Sequence, residues 1–504
     1  MIPISKYEKL TFATILAFLA FRIFYIATTH YNLIADEAYF WDWSRHPDLS
    51  YYDMGPMIAW VIRFFTFLLP LSEFSVRLAA PLFSTLTTLV IYKLSKEILA
   101  SSKLAFIIIL IFNITPIATA GSVIITYYSP QLFFMAMTAF SLWRLITQKG
   151  GAWWYLIGMS LGLGFLSHHI FSIISAEVIL FFLISKAHRI WFRRKEPYIA
   201  IMIALFVSSP VWIWNLIHQS VMAKHAFGLM RVSPDVMNSF GLFLAGQAGV
   251  HTPFLFLAVL YGISVSGYKG ILKNDDKHLF LFCLSAPLLV FITLLCFGGR
   301  TEANWPISAY VTGGIAAVIA VNSLYESSSQ LNRKLIKFTM ALTLILCLST
   351  LTIASYPQVL HTVGIHIPPQ IDPANRLYGW ATLGEEISAQ RKTMDQSTFI
   401  CARDYGMSAL LAFYVEGNPE VYEVPDGRRM SQYDIWNKDI SVVGKDAIFV
   451  DKQSIRSRTS ALFGKVELIK NITIKAENDH AVRKRFYIYK CYNYKGSDQK
   501  IDSY

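Results

Sequence analysis

The sequence predicts a membrane-embedded all-α bundle of about eleven transmembrane helices (range nine to thirteen), followed by a soluble extracytoplasmic α/β domain. Three observations predict it. Of 504 residues, 54% are hydrophobic and only 15% charged, and the mean hydropathy is +0.43, which is too apolar for an ordinary water-soluble chain. Apolar runs long enough to cross a bilayer, at ~20 residues per span, recur through the first 356 positions. Beyond Tyr356 those runs shorten to strand length and alternate with turn residues such as "EGNPE" and "VPDGRR".

Taken in order, the candidate spans are 10–29, 76–98, 104–120, 128–147, 153–168, 170–186, 197–215, 240–265, 279–297, 305–322 and 335–356. The first has basic flanks, Lys6 and Lys9, and no small-residue cleavage site, so it reads as an uncleaved anchor. Residues 153–186 form one apolar stretch that must divide at Ser167-His168-His169. Residues 57–71 carry Arg63 and read as a helix lying along the membrane surface.

Short loops rich in Lys and Arg stay cytoplasmic. Those at Lys103, Lys149, Lys186 to Lys195, Lys269 to Lys277 and Arg333 to Lys337 alternate along the chain and so share one side. The far side then receives the acidic stretch 34–56, the turns 121–127 and 168–169, the segments 216–239 and 298–304, and everything after 356. The chain thus reads as two domains, 1–356 with an external loop 30–75, and 357–504.

The net charge of +12 is largely accounted for by this orientation signal and by anionic lipid headgroups, so no nucleic-acid partner is expected. The soluble part holds 18 of the 33 acidic residues, which marks it as solvated. Its helix-like stretch is 380–392, and its strand-like runs are "STFICARD", "DAIFVD" and "RFYIYKC". The five cysteines lack metal-ligand spacing; only Cys401 and Cys491 fall outside spans, and sequence leaves open whether they pair. No internal repeat, low-complexity tract or charge within a span is evident, and these are features more usual in transporters.

The far-side segments carry the chemistry. "IADEAYFWDWSRHPDLSYYDMGP" at 34–56 contains five carboxylates directly after the first span. Asp42, Asp48 and Asp53 taken singly read as solvated headgroup-level acids. Adjacent Asp36 and Glu37 repel one another and require a cation, donor or proton. Cations fall at the same level: His46, His168, His169, His218, Lys224, His225, Arg231 and Arg300. One acid among several cations suits deprotonation of a hydroxyl while a phosphate leaves.

The segments "ADEAYFWDWSRHPDLSYYDMGPM" (35–57), "SPQLFF" (129–134), "PVWIWNLIHQ" (210–219), "EANWP" (302–306), "NRLYGW" (375–380) and "SQYDIWN" (431–437) resemble, in that order, the bacterial branch of the protein O-mannosyltransferase superfamily, which includes the aminoarabinose transferase of lipid A. The resemblance implies a GT-C integral-membrane glycosyltransferase. Such an enzyme takes sugar from a polyprenyl monophosphate and hands it to a lipid or protein acceptor outside the cytoplasm, in a bacterial inner membrane. It implies a catalytic role for Asp36 as general base, with Glu37 as the adjacent acid. Donor phosphate or sugar contacts are expected from Arg45, His46, Tyr52, Asp53, His168, Lys224, Arg300 and Glu302. No cofactor is signalled, and a divalent ion bridging Asp36 to phosphate stays open. Where such enzymes commonly carry a basic residue and an acid, this chain has Met54 and Tyr127-Tyr128, and His168 replaces a frequent Lys. Trp214 reads as an aromatic-belt residue and Asn304 as the cap of the helix opened by Pro306. The readings that compete are a transporter or flippase and a degenerate binder of lipid-linked sugars.

Overall fold

A computed structural model describes residues 5–228, 236–297, 301–356, 359, 364–365, 368, 372–436, 442–475 and 482–496. Its membrane portion is helical. Helix α1 (Lys6–Thr28) starts with Ser5 and Glu8 forming a reciprocal N-terminal cap. Next come α2 (Ala35–Arg45), α3 (Met57–Leu68), α4 (Glu73–Arg77), α5 (Ala79–Leu99), α6 (Ser102–Ile114), α7 (Pro116–Gly121) and α8 (Tyr128–Gln148). They are followed by α9 (Trp153–Ser167), α10 (Phe171–Ile184), α11 (Glu196–Ile217), α12 (Val221–Gly228), α13 (Val236–His251) and α14 (Pro253–Gly267). Helices α15 (Asp276–Cys283), α16 (Ala286–Leu295), α17 (Ala309–Ser327) and α18 (Gln330–Ser355) close the bundle.

Among the described residues, seven helical stretches are long and apolar enough to cross a membrane: Lys6–Thr28, Glu73–Leu99, Glu196–Ile217, Pro253–Leu272, Asp276–Leu295, Trp305–Ser327 and Gln330–Ile353. The other expected spans differ for identifiable reasons. Pro116 divides 104–120 into α6 and α7, because a proline has no N–H to continue the helical ladder. The stretch 153–186 does divide at its two histidines, into helices of 15 and 14 residues. The expected span 240–265 breaks at Thr252, whose φ is +69°. Charges also lie within apolar helices, contrary to expectation. Arg22 in α1 donates to Asn113 Oδ1 at 2.8 Å and Ser84 Oγ at 3.1 Å, joining α1 to α5 and α6. Glu177 in α10 accepts from the Leu288 N–H at 2.9 Å. Both charges serve helix packing.

Contacts sort the loops onto two faces as the basic pattern predicts. On one face Lys96 meets Glu8, Arg144 meets Glu97 at 2.5 Å, and Ser185 and His188 meet Asp276 at 2.7 and 3.5 Å. On the other, Tyr25 donates to the Ser355 carbonyl at 3.2 Å, the Trp214 indole donates to Asp48 at 2.8 Å, and Tyr127 stacks on His168 at 4.6 Å. Helix α3 lies with this second face, where Arg63 donates to the Ser44 carbonyl at 2.8 Å. Its Phe64, Phe67 and Leu68 stay exposed, as on an interfacial helix.

The C-terminal part contains one five-stranded sheet of order β2-β1-β3-β5-β4, built from β1 (Phe399–Ala402), β2 (Val421–Glu423), β3 (Ala447–Asp451), β4 (Phe463–Lys475) and β5 (Val482–Tyr494). Strands β2, β1 and β3 run parallel, while β5 and β4 are antiparallel additions. The expected helix appears as α19 (Trp380–Lys392), and α20 (Tyr405–Tyr414) forms the crossover between β1 and β2. Cys401 and Cys491 are free and buried on strands separated by β3, where Phe449 pairs with Cys401 and Ala447 with Cys491.

One buried ion pair fixes the segment between α1 and α2. The Arg77 guanidinium donates to Glu37 Oε1 at 2.9 Å and Oε2 at 2.7 Å, and to the carbonyls of Tyr31 and Asn32 at 2.9 and 2.8 Å. Glu37 also accepts from the Ile34 and Ile125 N–H groups at 3.0 and 3.1 Å. Its carboxylate has no exposed surface, so every oxygen lone pair is directed at protein. Helix α2 then packs its aromatic residues into a core shared with α19, α20 and the sheet.

Two tests follow from this architecture. Reporter fusions ending after Thr29 and after Tyr356 should read as the same side, and one after Lys195 as the opposite side. Any other pattern breaks the two-face assignment. Arg77→Ala leaves a buried carboxylate unpaired, a change worth about 3–5 kcal/mol, so the melting temperature of the purified protein should fall clearly. Glu37→Gln keeps only one acceptor oxygen and turns an NH2 group toward an N–H and the Arg77 guanidinium, so it should lower the melting temperature too; an unshifted melting curve for Arg77→Ala would remove the pair from its structural role.

Candidate functional site

Asp36 sits in the first turn of α2, one residue before the anchored Glu37. Neighbouring residues on a helix point about 100° apart, so the pairing that buries Glu37 turns Asp36 away from it, into a cavity of about 600 Å³. The cavity lies where α2 meets α5, α7, α8 and the C-terminal part. Its rim carries Asp36, Asp53, Glu302, Arg376, Arg429 and Tyr405, and its lower wall carries Phe112, Ile117, Leu132 and Ile307. That volume is typical of a small-ligand site with polar groups at one end.

The acids are held by tyrosines. Tyr405 donates to Asp36 Oδ1 at 3.2 Å and Tyr39 donates to Asp53 Oδ2 at 3.0 Å. The two rings touch at 4.6 Å between centroids, so one aromatic pair spaces both carboxylates. Asp36 meets cavity space, but the surrounding protein removes much of its hydration and pushes its carboxyl above the usual range; the Tyr405 hydrogen bond and Arg376 oppose this. Asp53 is pushed up to about 6 by burial, with Arg429 and Tyr39 pulling the other way. His225 Nε2 lies 3.7 Å from Asp53 and Arg429 lies 3.8 Å from it. Burial pushes His225 down to about 3, with Arg429 adding to the effect, so its ring stays neutral there.

The other expected site residues fall in different places. Glu302 lines the cavity. Tyr52 is buried behind it, its N–H donating to Gln432 Oε1 at 2.7 Å and its ring 4.8 Å from His225. Arg45 pairs with Asp42 and donates to the Asn418 carbonyl at 2.7 Å, while His46 pairs with Glu420 at 3.1 Å; both tie α2 to the C-terminal part, away from the cavity. Burial alone would lower His46, and Glu420 with Asp42 more than offsets that, leaving it raised. His168 lies behind Tyr127, where its Nδ1 accepts from the Ile170 N–H at 3.1 Å. A nitrogen that accepts in this way carries no proton, which removes the positive charge considered for it. Lys224 is exposed and outside the cavity lining. Arg300 and Arg231 lie outside the described residues.

Several readings are corrected. Asp42 is buried, accepts from the Tyr433 hydroxyl and pairs with Arg45; burial pushes its carboxyl up. Asp53 is a cavity residue, and Asp48 accepts from Trp214. None of the three is simply solvated. Trp214 is buried and held by Asp48, not part of an aromatic belt. Asn304 makes no side-chain capping bond and lines the cavity. Gly55 has a steric rationale: a Cβ there would stand 2.1 Å from the Leu166 carbonyl oxygen, so the "MGP" turn permits close backbone approach. In the place of an expected acid, Tyr127 donates to Tyr128 at 2.5 Å on the cavity wall. No three potential ligands gather closely enough to hold a metal among the described residues.

The cations at the cavity rim, Arg376 and Arg429, come from the C-terminal part and were not singled out from sequence. Arg376 falls inside the recognised "NRLYGW" segment, which was the available signal. Arg429 follows Arg428 in "GRRM". Arg428 turns inward to Asp434 at 2.7 Å and Glu423 at 2.9 Å, and the anchored loop projects Arg429 over the cavity.

The sequence profile of the dolichyl-phosphate-mannose-protein mannosyltransferase family matches residues 46–214. A lipid A galacturonosyltransferase, RgtD of Rhizobium johnstonii, is 30% identical over 308 residues, which is 60% of this chain; the chain spans 64% of that relative's length. The crystal structure of ArnT from Cupriavidus metallidurans in the apo state superposes with a TM-score of 0.60 at 13% identity, covering 95% of this chain and 97% of that one. The same protein bound to undecaprenyl phosphate gives 0.59 at 12% identity over equal coverage. At such identities the two structures establish the fold, which is that of ArnT, while the family profile and the sequence relative are what the chain is similar to over the parts they match.

Proposed function

We propose that this protein transfers a sugar from a polyprenyl-phosphate donor to an extracytoplasmic acceptor, with Asp36 as general base. The observation that carries this reading is the placement of Asp36 at the rim of a cavity whose lower wall is apolar and whose rim holds two arginines. The galacturonosyltransferase relative and the undecaprenyl phosphate in the superposed fold support a lipid-linked donor. The relative's name also favours a lipid acceptor over a protein.

The donor tail would follow the narrow apolar groove lined by Ile108, Ile111, Leu255 and Val318, which shares Phe112, Ile117, Ala118 and Ile307 with the main cavity. In a one-step displacement, Asp36 accepts the acceptor hydroxyl's proton as that oxygen bonds to the sugar's anomeric carbon. The bond from that carbon to the phosphate oxygen breaks, and polyprenyl phosphate departs with the electron pair, inverting the centre. Arg429 and Arg376 would offset the charge gained by the phosphate, and a site shielded from water strengthens this effect. Asp53 and Glu302 would meet sugar hydroxyls.

The same reading includes eleven crossings and an extracytoplasmic site in an inner membrane. Alternation of the loops between two faces supports that count if α6 with α7, α8, α9 and α10 each cross and α13 lies at the interface, as its contacts with Ala303 and Phe297 suggest. The division at residue 356 separates a membrane part from an external part, which share the core around α2. Charges in α1 and α10 are bound in helix packing, which weakens the transporter alternative.

Asp36→Asn keeps shape but removes the basic oxygen. Turnover with a labelled polyprenyl-phosphate sugar should fall roughly a hundredfold or more with donor affinity kept. Because the Asp36 carboxyl is raised, kcat/KM of the native protein should decline on acidification at a pH above the ~3.9 of a free aspartate, as the base becomes protonated. Near-normal turnover of the variant would reject the acid–base mechanism. Mass spectrometry of envelope glycolipids with and without the protein identifies the product, and an unchanged profile in glycolipids and glycoproteins alike would count against transfer.

Arg429→Gln should weaken donor binding about tenfold, the order expected for a charge-assisted phosphate contact, whereas Lys224→Gln should leave it unchanged. The reverse ranking in a titration with undecaprenyl phosphate would move the phosphate elsewhere.

A further inference from the structure

A separate crevice, of about 360 Å³, runs between α1, the α6–α7 segment and α18. It shares no lining residue with the main cavity. Thr14, Ala17, Phe18 and Phe21 of α1 form one side, and Leu351 of α18 stands on the other. Helix α18 buries little of itself: along Gln330–Ile353 only Cys347 is buried. The crevice therefore lies at the edge of the bundle, where its neighbour is lipid and not protein.

Arg22 lines this otherwise largely apolar space and is only 3% exposed. Its hydrogen bonds to Asn113 Oδ1 and Ser84 Oγ join α1 to α6 and α5, but both acceptors are neutral. Among the described residues no carboxylate forms an ion pair with it, and the stretches 1–7 and 356–371, which flank α1 and follow α18 in the chain, contain no Asp or Glu. A guanidinium keeps its charge, and a charge inside a spanning helix without a counter-charge is costly. An anion entering the crevice would supply what the helix packing does not.

Depth narrows the ligand. Tyr25, one turn nearer the face that carries Asp36, meets Tyr31 at 6.3 Å and Tyr356 at 6.0 Å between ring centres, and donates to the Ser355 carbonyl. Tyrosines gathered at the ends of spans mark the boundary between headgroups and acyl chains. Arg22 lies about 5 Å below them at ~1.5 Å of rise per residue, and the crevice continues along α1 for about 12 Å more, to Thr14. A cation just under the headgroups with an apolar channel beneath it matches a phosphate joined to a hydrocarbon chain.

We propose that this crevice binds one anionic phospholipid of the surrounding leaflet, its phosphodiester drawn to Arg22 and one acyl chain lying along Ala17, Phe18 and Phe21. A polyprenyl-phosphate donor held there would be walled off from Asp36, because α7 stands between the crevice and the main cavity. Arg22 also donates to Ser84, which lines that cavity, so the bound lipid would brace the wall between the two spaces.

The full-length protein is purified in detergent, supplied with phosphatidylglycerol, phosphatidylcholine, diacylglycerol or undecaprenyl phosphate, and the bound lipid is counted by native mass spectrometry. One phosphatidylglycerol per chain should be retained about tenfold more tightly than phosphatidylcholine, whose phosphate carries its own cation, and than diacylglycerol, which has no phosphate. Arg22→Gln should lose about tenfold of that affinity, and Arg22→Lys, which keeps the charge, should lose less. Ala17→Trp, at an exposed position of the crevice, fills the space with Arg22 and its hydrogen bonds intact; it should also lose the lipid, which guards against a folding defect in Arg22→Gln. Phosphatidylglycerol should raise the melting temperature of the native protein and not that of Ala17→Trp. Equal retention of phosphatidylglycerol and diacylglycerol, or native retention in Ala17→Trp, would overturn the proposal. Displacement of phosphatidylglycerol by an equal concentration of undecaprenyl phosphate would make the crevice a polyprenyl-phosphate site and overturn it as well. Because binding is read without turnover, each result stands apart from the transferase reading.

Discussion

The placement of α2 and of Asp36 depends on the Glu37–Arg77 pair. A carboxylate and a guanidinium removed from water are tolerated only when their remaining donors and acceptors are used, and here the two groups use theirs on the carbonyls of Tyr31 and Asn32 and the N–H groups of Ile34 and Ile125. Three segments distant in sequence meet at that point: the stretch from the loop after α1 into the start of α2, the start of the α4–α5 span and the turn before α8. Because one of two adjacent acids is committed inward, the other is committed outward. The direction of Asp36 is thus a consequence of how its neighbour is buried.

Charge is divided between the two parts of the chain. The membrane part supplies the acids of the cavity, Asp36, Asp53 and Glu302, whereas the described cations at its rim, Arg376 and Arg429, come from beyond residue 356. Neither part makes the site alone. The join is correspondingly tight: Tyr39 accepts from the Gln432 N–H at 2.8 Å and donates to Asp53, Tyr433 donates to Asp42, and Tyr414 accepts from the Leu33 N–H at 2.7 Å. Tyrosine serves here because its ring fills the shared core while its hydroxyl reaches a polar partner.

Much of the fold was legible in the sequence because hydrocarbon length and loop charge are local properties. Apolar runs located the helices, and the spacing of Lys and Arg separated the loops into the two faces that contacts such as Arg144–Glu97 and Trp214–Asp48 display. Strand-length runs and the helix at 380–392 were recognisable for the same reason. Helix continuity was less legible. A break at Thr252 or Pro116 leaves the hydropathy of a window almost unchanged, and Arg22 and Glu177 sit within runs whose average remains apolar.

For the site, the sequence by itself singled out the segment that carries the acid proposed as base, since two adjacent carboxylates at the end of an apolar helix require special surroundings wherever the chain goes. It also grouped Asp53 and Glu302 on the same face as Asp36, through their place in alternate loops. Only the tertiary structure decided which groups face them. Arg45, His46 and Lys224 are near Asp36 in sequence or in predicted depth, yet two are held by partners in the C-terminal part and the third points elsewhere. Arg376 and Arg429, more than 300 positions away, line its cavity. Charge interactions depend on separation in space and on shared burial, and neither quantity is a property of position along the chain.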